Sequence, residues 1–278
     1  MYRDNLFYLF GQEITLYNIM LVLGVVLCVI FVYLMTRREK FSYTMSYLII
    51  AIGFIAIICG LLSATLFQSI YNYIQDPSQG FVFEGMTFIG GLLGGSIFYI
   101  GLYCIYAYLI NPKLKDTNRF KNKKDKTLFD ALKFIPIGIT LAHAVGRIGC
   151  FFEGCCYGKP TNAWYGIKFA TTSKKVIPTQ LFESIFLFLL TGVMLFLYLK
   201  FEFAYCFGVY GISYGIFRFI SEFYRGDDRG TFIGNISPSQ FWCIFFVLGG
   251  IAFILIYRLL RIKRGKIVKK EAQEKTTI

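Results

Sequence analysis

The sequence has 278 residues, of which 56% are hydrophobic and only 16% are charged. Average soluble domains have roughly 25% charged residues, so the composition argues against a soluble fold. The formal net charge of +13 could indicate a nucleic-acid partner, but the basic loops lack the interleaved aromatic side chains that stack on single strands. We therefore expect no nucleic acid among the partners.

Seven apolar runs have about the length, roughly 20 residues, that crosses the hydrocarbon of a bilayer. In chain order they cover residues 14–36, 46–68, 88–110, 128–147, 179–199, 204–224 and 238–258. We predict an all-α polytopic membrane protein with about seven transmembrane helices. Nothing in residues 1–13 has the pattern of a cleavable signal, so the first run is expected to stay in the protein.

The Lys and Arg residues indicate the orientation of these helices. Most of the 29 follow the odd-numbered runs, above all in a basic loop at 111–127 and a tail at 261–278. The positive-inside rule then predicts an outer N-terminus and a cytoplasmic C-terminus, with the basic segments near anionic membrane lipids. Residues 1–260 are predicted to form one transmembrane domain, whose outer segment, 146–178, folds back against the helices.

Ionisable residues lie inside the sixth run, where only lipid-compatible residues are expected. Arg218, Glu222 and Arg225 are spaced by four and seven residues, which places them on one face of a helix. Because a charge in the membrane costs about 2.5 kcal/mol or more, this face should point into the protein. One interpretation is a buried ion pair that fixes the helix register. The other is a functional site.

More polar residues end or begin the neighbouring runs. Arg147 closes the fourth run, and Gln180 and Glu183 open the fifth. Three arginines then face fewer acids, and an enclosed positive surplus favours an anion. In a bilayer the abundant anion is a lipid phosphate, which guanidinium groups bind with two parallel hydrogen bonds.

The third run begins with closely spaced glycines. Gly90 and Gly94, and likewise Gly91 and Gly95, have the small-xxx-small spacing that permits close helix contact. A packing face is the simpler interpretation. The alternative is that the backbone here approaches a ligand headgroup.

Three of the eight cysteines, Cys150, Cys155 and Cys156, cluster in the outer segment, near the only histidine, His143. A disulfide, packed reduced thiols and a zinc site all fit the sequence, although the spacing matches no usual structural zinc motif. His143 precedes Arg147 by four residues. It is either a packed hydrogen-bonding residue or a base able to take a proton from a thiol.

Residues 146–158, GRIGCFFEGCCYG, resemble the signature segment of the bacterial prolipoprotein diacylglyceryl transferases. Segments 16–17, 87–92, 178–183 and 214–225 are similar to that family in the same order. The resemblance implies transfer of a diacylglyceryl group from phosphatidylglycerol to the cysteine thiol of a preprolipoprotein signal peptide, in the bacterial plasma membrane. It implies neither a cofactor nor a metal.

The same resemblance implies roles for individual residues. Arg147 matches the arginine that contacts the lipid headgroup, and Arg218 and Glu222 match a second arginine and its acid. Tyr214 and Tyr17 match two tyrosines of the site.

Three positions depart from the family pattern. Ile89, Cys150 and Cys155 stand where the family has histidine, asparagine and glutamate. Glu153 and His143 are expected to compensate for the lost carboxylate and imidazole.

The predicted site therefore has two groups of residues. The predicted catalytic residues are Arg218, Glu222, His143 and Tyr214; the predicted substrate-binding residues are Arg147, Tyr17, Gly90, Gly91, Glu153, Gln180, Glu183 and Arg225. Two other functions fit the sequence: a divergent homologue that uses another lipid or acceptor, and a non-catalytic lipid-binding or transport protein.

Overall fold

The computed structural model describes residues 5–9, 11–83, 85–106, 109, 127–226 and 236–276. The basic loop predicted at 111–127 lies outside the described residues except for Thr127.

A two-stranded hairpin, eight α-helices and one 3₁₀ helix (Pro77–Gln79) make up the regular structure in these ranges. They are β1 (Asn5–Leu9), β2 (Gln12–Thr15), α1 (Leu16–Arg38), α2 (Tyr43–Gln75), α3 (Phe88–Ile105), α4 (Leu128–Ala131), α5 (Ile135–Glu153), α6 (Thr179–Phe201), α7 (Cys206–Glu222) and α8 (Pro238–Thr276). The hairpin is antiparallel, with Leu9 opposite Gln12 and Gly11 at φ +77° in the turn. This hairpin was not predicted from the sequence.

Five helices, α1, α2, α5, α6 and α8, are long and apolar enough to cross a membrane. Their exposed surfaces carry large apolar side chains, which suits contact with lipid rather than water. The chain is thus a predominantly helical, polytopic membrane protein, as predicted. Helices α3 and α7 occupy the third and sixth predicted spans but are shorter, and α7 has only 17 residues.

The fourth predicted span differs most from the prediction. A turn at residues 132–134 separates α4 from α5, and α5 continues to Glu153 instead of stopping at Arg147. It ends where Gly154 adopts the left-handed conformation (φ +67°), which glycine reaches without steric cost. The first half of the signature segment is therefore helical.

The described chain divides into two compact units. The smaller unit covers residues 33–131, and α2 and α3 pack closely within it. The backbone of Gly60 approaches Gly91 and Gly95, so that a Cβ at Gly60 would lie 3.0 Å from the Gly91 carbonyl oxygen. Here the glycines of α3 have the packing role that their spacing indicated.

The larger unit covers residues 1–32 and 132–278 and contains α5, α6, α7 and α8. Its buried core includes Ala144, Leu187 and Tyr214, with Phe186 and Tyr210 packed against them. Small residues bring α7 and α8 together, since a Cβ at Gly211 would lie 3.1 Å from the Phe246 carbonyl oxygen.

Residues 154–178, the later part of the predicted outer segment, pack against other parts of the larger unit. The Gly158 amide donates to the Ile177 carbonyl at 2.8 Å, and the Lys159 amide donates to the Tyr224 carbonyl at 2.8 Å. Phe169 and Val176 of this segment are buried. These bonds connect the segment to the chain just after α7 and hold it over the ends of α5 and α6.

Candidate functional site

Side chains from three helices of the larger unit converge on one buried carboxylate, that of Glu183. This residue lies in the first turns of α6, and its side chain is 2% exposed. Arg147 of α5 places Nη2 2.9 Å from Glu183 Oε1, and the Tyr214 hydroxyl of α7 donates to the same oxygen at 2.9 Å. All three residues were among the predicted site residues, but Glu183 was not predicted to be the shared partner of Arg147 and Tyr214.

His143 lies one turn before Arg147 on α5 and faces the same cluster. Its Nε2 is 3.8 Å from Glu183 Oε1, and its Nδ1 shares a hydrogen bond of 3.0 Å with the Tyr210 hydroxyl. The Tyr214 ring meets the imidazole edge-on, with centroids 4.8 Å apart. These contacts fix the orientation of the ring.

Arg218 joins the cluster from α7. Its Nη2 is 2.9 Å from Glu222 Oε2, one turn later on the same helix, and its Nη1 is 3.9 Å from Glu183 Oε2. Ser237 donates from its hydroxyl to Glu222 Oε1 at 3.2 Å, which steadies the second carboxylate. The ion pair expected from the four-residue spacing is thus present.

Arg225 is close to this pair, but it does not lie on the helix. Helix α7 ends at Glu222, so the prediction that Arg225 lies on one helical face with Arg218 and Glu222 is wrong. A turn follows, and Arg225 forms an isolated β-bridge with Gly158 of the outer segment. Its Nε still lies 3.9 Å from Glu222 Oε2, because the turn carries the chain back over the helix end.

Two arginines of this cluster are paired with two carboxylates. Arg147 and Arg218 both contact Glu183, and Arg218 also contacts Glu222. A guanidinium group has five N–H donors, so each arginine can bind an anion besides its carboxylate partner.

Unused hydrogen-bond donors support the same interpretation. Arg147 Nε and Arg218 Nη1 are buried and have no hydrogen-bond partner within the described ranges. Buried donors of this kind are rare in folded proteins unless a ligand, ion or water completes them. The ion pairs can still fix the helix register, but that role alone leaves these N–H groups unexplained.

The three outer cysteines form a second cluster next to the first. Their Sγ atoms all lie within 4.8 Å of one another, and all are free thiols. Hydrogen bonds from Cys150 and Cys155, with the positive charges of Arg225 and Arg147, hold the pKa of the Cys156 thiol below its usual range. The same thiol–thiol hydrogen bonds raise the pKa of Cys155.

Two of the predicted substrate-binding residues, Gln180 and Tyr17, lie near the cysteines or α5. Gln180 is buried, and its side-chain nitrogen donates to the Cys155 carbonyl oxygen. Tyr17 of α1 packs against Gly149, where an added Cβ would lie 3.2 Å from its ring. Both residues therefore lie close to the signature helix.

The remaining predicted residues lie elsewhere. Glu153 Oε2 accepts a hydrogen bond of 3.5 Å from the hydroxyl of Thr15, the last residue of β2. Gly90 and Gly91 lie in the smaller unit, where Gly90 packs so tightly on Phe67 that a Cβ would come within 2.6 Å of it.

Tyr210 is a residue that the sequence analysis missed. It is the hydrogen-bond partner of His143, and its ring stacks on Tyr214 at 5.7 Å. Its spacing could have indicated a place in the site. Tyr210 precedes Tyr214 by four residues, and Tyr214 precedes Arg218 by four, so all three lie on one helical face.

Apolar membrane helices that enclose an arginine-rich, carboxylate-bridged cluster define a polytopic membrane protein with an internal polar site. Comparison with known proteins makes the class specific. The family model described as prolipoprotein diacylglyceryl transferase matches residues 4–256, and the chain belongs to this family.

Curated relatives align over almost their whole length. The phosphatidylglycerol–prolipoprotein diacylglyceryl transferase of Clostridium tetani is 34% identical over 259 residues, which cover 90% of this chain and 95% of the relative. Phosphatidylglycerol–prolipoprotein diacylglyceryl transferase 2 of Clostridium perfringens is 33% identical, and the alignment covers 93% of this chain and 95% of the relative. The phosphatidylglycerol–prolipoprotein diacylglyceryl transferase of Clostridioides difficile is 31% identical, with 88% and 91% covered.

Proposed function

We propose that this chain transfers the diacylglyceryl group of phosphatidylglycerol to the lipobox cysteine of a preprolipoprotein, in the maturation of bacterial lipoproteins. The relatives carry the name of this activity. The observation that carries the proposal for this chain is the pair of buried guanidinium groups, Arg147 and Arg218, on either side of Glu183. Each has an N–H group that no described residue accepts.

A lipid phosphate is the anion that suits these donors. It is the charged group of phosphatidylglycerol, and guanidinium binds phosphate oxygens with directional, charge-assisted hydrogen bonds. Glu183 holds Arg147 at 2.9 Å and is 3.9 Å from Arg218, so both arginines are positioned before the lipid enters. Because the two guanidinium groups are already positioned, no free energy is spent on reorienting them during the reaction.

The reaction replaces a carbon–oxygen bond by a carbon–sulfur bond. The substrate sulfur attacks the glyceryl carbon that bears the phosphate, the bond from that carbon to the phosphate oxygen breaks, and glycerol phosphate leaves with the electron pair. The thiol proton passes to a base as the new bond forms. Arg147 and Arg218 stabilise the charge that grows on the leaving phosphate.

His143 is the proposed base. Its imidazole lies in the same cluster as the arginines, and Tyr210 and Tyr214 fix its orientation. A neutral imidazole can accept the thiol proton directly. Tyr214 and Glu222 position the charged groups through the contacts described above.

The other assignments also remain proposals. We propose that the following residues bind the two substrates: Tyr17, Glu153, Gln180, Glu183 and Arg225 of the larger unit, and Gly90 and Gly91 of the smaller unit. The reaction as written needs no cofactor, because the phosphate ester already provides the leaving group.

We further propose that seven helices cross the bacterial plasma membrane, with α3 and α7 completing the set of five longer spans. The excess of Lys and Arg after the odd-numbered spans supports an outer N-terminus and a cytoplasmic C-terminus. The signature segment then faces outward, where a translocated signal peptide would present its cysteine. Residues 1–260 would form the membrane domain, and α8 would extend into the basic tail at 261–278.

A vesicle assay tests the function. Purified protein is reconstituted with phosphatidylglycerol and a synthetic lipobox peptide, and the peptide mass and free glycerol phosphate are measured. We expect one glycerol phosphate per peptide that gains a diacylglyceryl group, and no product from a peptide with serine in place of the cysteine.

The same assay separates the two rival functions. Transfer from phosphatidylethanolamine but not from phosphatidylglycerol would indicate a homologue with another donor. Binding of phosphatidylglycerol without glycerol phosphate release, in protein that is folded and monodisperse, would indicate a non-catalytic lipid-binding protein.

A further inference from the structure

We propose that Cys150, Cys155 and Cys156 form a binding site for one thiophilic metal cation, of the class of Zn²⁺, Cd²⁺ and Cu⁺. The site adjoins the residues assigned to phosphatidylglycerol, but the proposed transfer uses none of these thiols. Soft thiolate ligands select such cations over harder ones. Within the ranges that the structure describes, this is the one group of three or more His, Cys, Asp or Glu side chains close enough to share a metal.

The distances suit a common ligand. The three Sγ atoms lie within 4.8 Å of one another. Zinc–sulfur bonds are about 2.3 Å long, so the sulfurs of a tetrahedral site stand about 3.8 Å apart. Small side-chain rotations therefore close the cluster around a cation without movement of the helices.

The backbone explains how adjacent cysteines both reach the same point. Neighbouring residues in an extended chain point to opposite sides, so two adjacent cysteines in such a chain could not both bind one cation. Here Cys156 has φ +63°, a left-handed conformation that non-glycine residues adopt rarely. Gly154 is also left-handed, at φ +67°. Two such residues in a three-residue stretch turn the chain so that both thiols approach Cys150.

The chain around the thiols is held in place by α6. The Thr179 hydroxyl donates to the Cys156 carbonyl oxygen at 2.7 Å, and the Gln180 side chain donates to the Cys155 carbonyl oxygen. Outer groups that orient the ligands in this way are typical of metal sites. Both bonds are made to backbone carbonyl oxygens and involve none of the three thiol groups.

The charges also permit such a complex. A divalent cation bound by three thiolates gives a complex with one net negative charge. Arg147 Nη1 lies 4.0 Å from Cys150 Sγ, where it can neutralise that charge. The described residues supply three donors, so a solvent molecule would complete a tetrahedron.

Cadmium titration tests the site directly. The detergent-solubilised protein is reduced under anaerobic conditions, the reductant is removed, and Cd²⁺ is added while the ultraviolet thiolate-to-cadmium absorption band is followed. We expect one Cd²⁺ per chain, displaced by excess Zn²⁺. The band should vanish in the triple variant Cys150→Ser, Cys155→Ser, Cys156→Ser.

A matched variant removes three cysteines from the helices, Cys28→Ser, Cys59→Ser and Cys104→Ser, and should bind Cd²⁺ as wild type does. If the triple variant of the cluster does not fold, single variants replace it. Loss of an outer-shell group alone typically costs about 10- to 100-fold in metal affinity, so loss of a ligand should weaken Cd²⁺ binding at least tenfold.

Several results would overturn the proposal. They are absence of the band in reduced wild-type protein, retention of the band in a folded triple variant, and single variants with unchanged affinity. None of these results depends on transferase activity, so the metal site and the proposed function can fail independently.

Discussion

Glu183 Oε1 lies 2.9 Å from Arg147 Nη2, and this ion pair joins α6 to α5 inside the larger unit. The same oxygen accepts the Tyr214 hydroxyl from α7 at 2.9 Å. One carboxylate atom thus connects three helices and positions an arginine that we assign to phosphate binding. Its removal should affect both stability and activity.

Replacement of Glu183 by Gln should destabilise the protein strongly. The amide keeps the shape of the side chain but leaves Arg147 and Arg218 without their shared counter-charge, and breaking one partner of a buried ion pair costs about 3–5 kcal/mol. Thermal unfolding in detergent measures the change. Glu202→Gln, at an exposed position after α6, is the matched control and should unfold as wild type does. Equal unfolding temperatures for the two variants would contradict the central position of Glu183.

His143→Ala should slow the transfer by about 100-fold or more, the usual contribution of a general base, with little change in the KM for phosphatidylglycerol. The defect should shrink as the pH rises, because the peptide thiol has a pKa of about 8.5 and ionises without help in alkaline solution. Tyr210→Phe removes only the hydroxyl that orients the imidazole, so its effect should be smaller. If His143→Ala has the same rate and pH profile as wild type, His143 is not the base.

Cys156 should be the first cysteine to react with iodoacetamide at neutral pH. The neighbouring thiols and the arginines lower the pKa of Cys156, so its thiolate form is populated there, and the thiolate is the reactive species. Mass spectrometry of peptides from briefly labelled, metal-free protein measures the order. Preferential labelling of Cys155, whose pKa is raised, would contradict the charge distribution described for this cluster.

Gly94→Ala should lower the stability of the smaller unit, whereas Gly101→Ala on the same helix should not. A Cβ at Gly94 would lie 2.2 Å from Ser63 Cβ, while one at Gly101 meets nothing within 4 Å. Overpacking of this kind costs about 1–3 kcal/mol. Comparison of the two unfolding temperatures measures it. If the two variants have equal stability, α2 and α3 do not pack as described.

Much of the architecture was predictable because hydropathy reports burial in lipid directly. Each of the seven predicted spans contains a helix, and the pairing of Arg218 with Glu222 followed from their separation by one helical turn. The short hairpin before α1 was not predicted. It depends on a turn at Gly11, and five-residue strands give a weak pattern.

The centre of the site was less predictable, since it depends on contacts between helices. Nothing in the local sequence shows that Glu183 meets Arg147 and Tyr214, which come from two other helices. The end of α5 was also missed, because residues 148–153 contain both helix-compatible and loop-like residues. Only the conformation of Gly154 shows where that helix stops.

The release of glycerol phosphate from phosphatidylglycerol vesicles, in the presence of a lipobox peptide, tests the role of the buried arginines most directly. We expect Arg147→Ala and Arg218→Ala, each folded and reconstituted, to release it about 100-fold more slowly than wild type, a typical cost of removing a group that stabilises transition-state charge. Arg258→Ala, at an exposed position on α8, should match wild type. Release at the wild-type rate from both site variants would contradict the account.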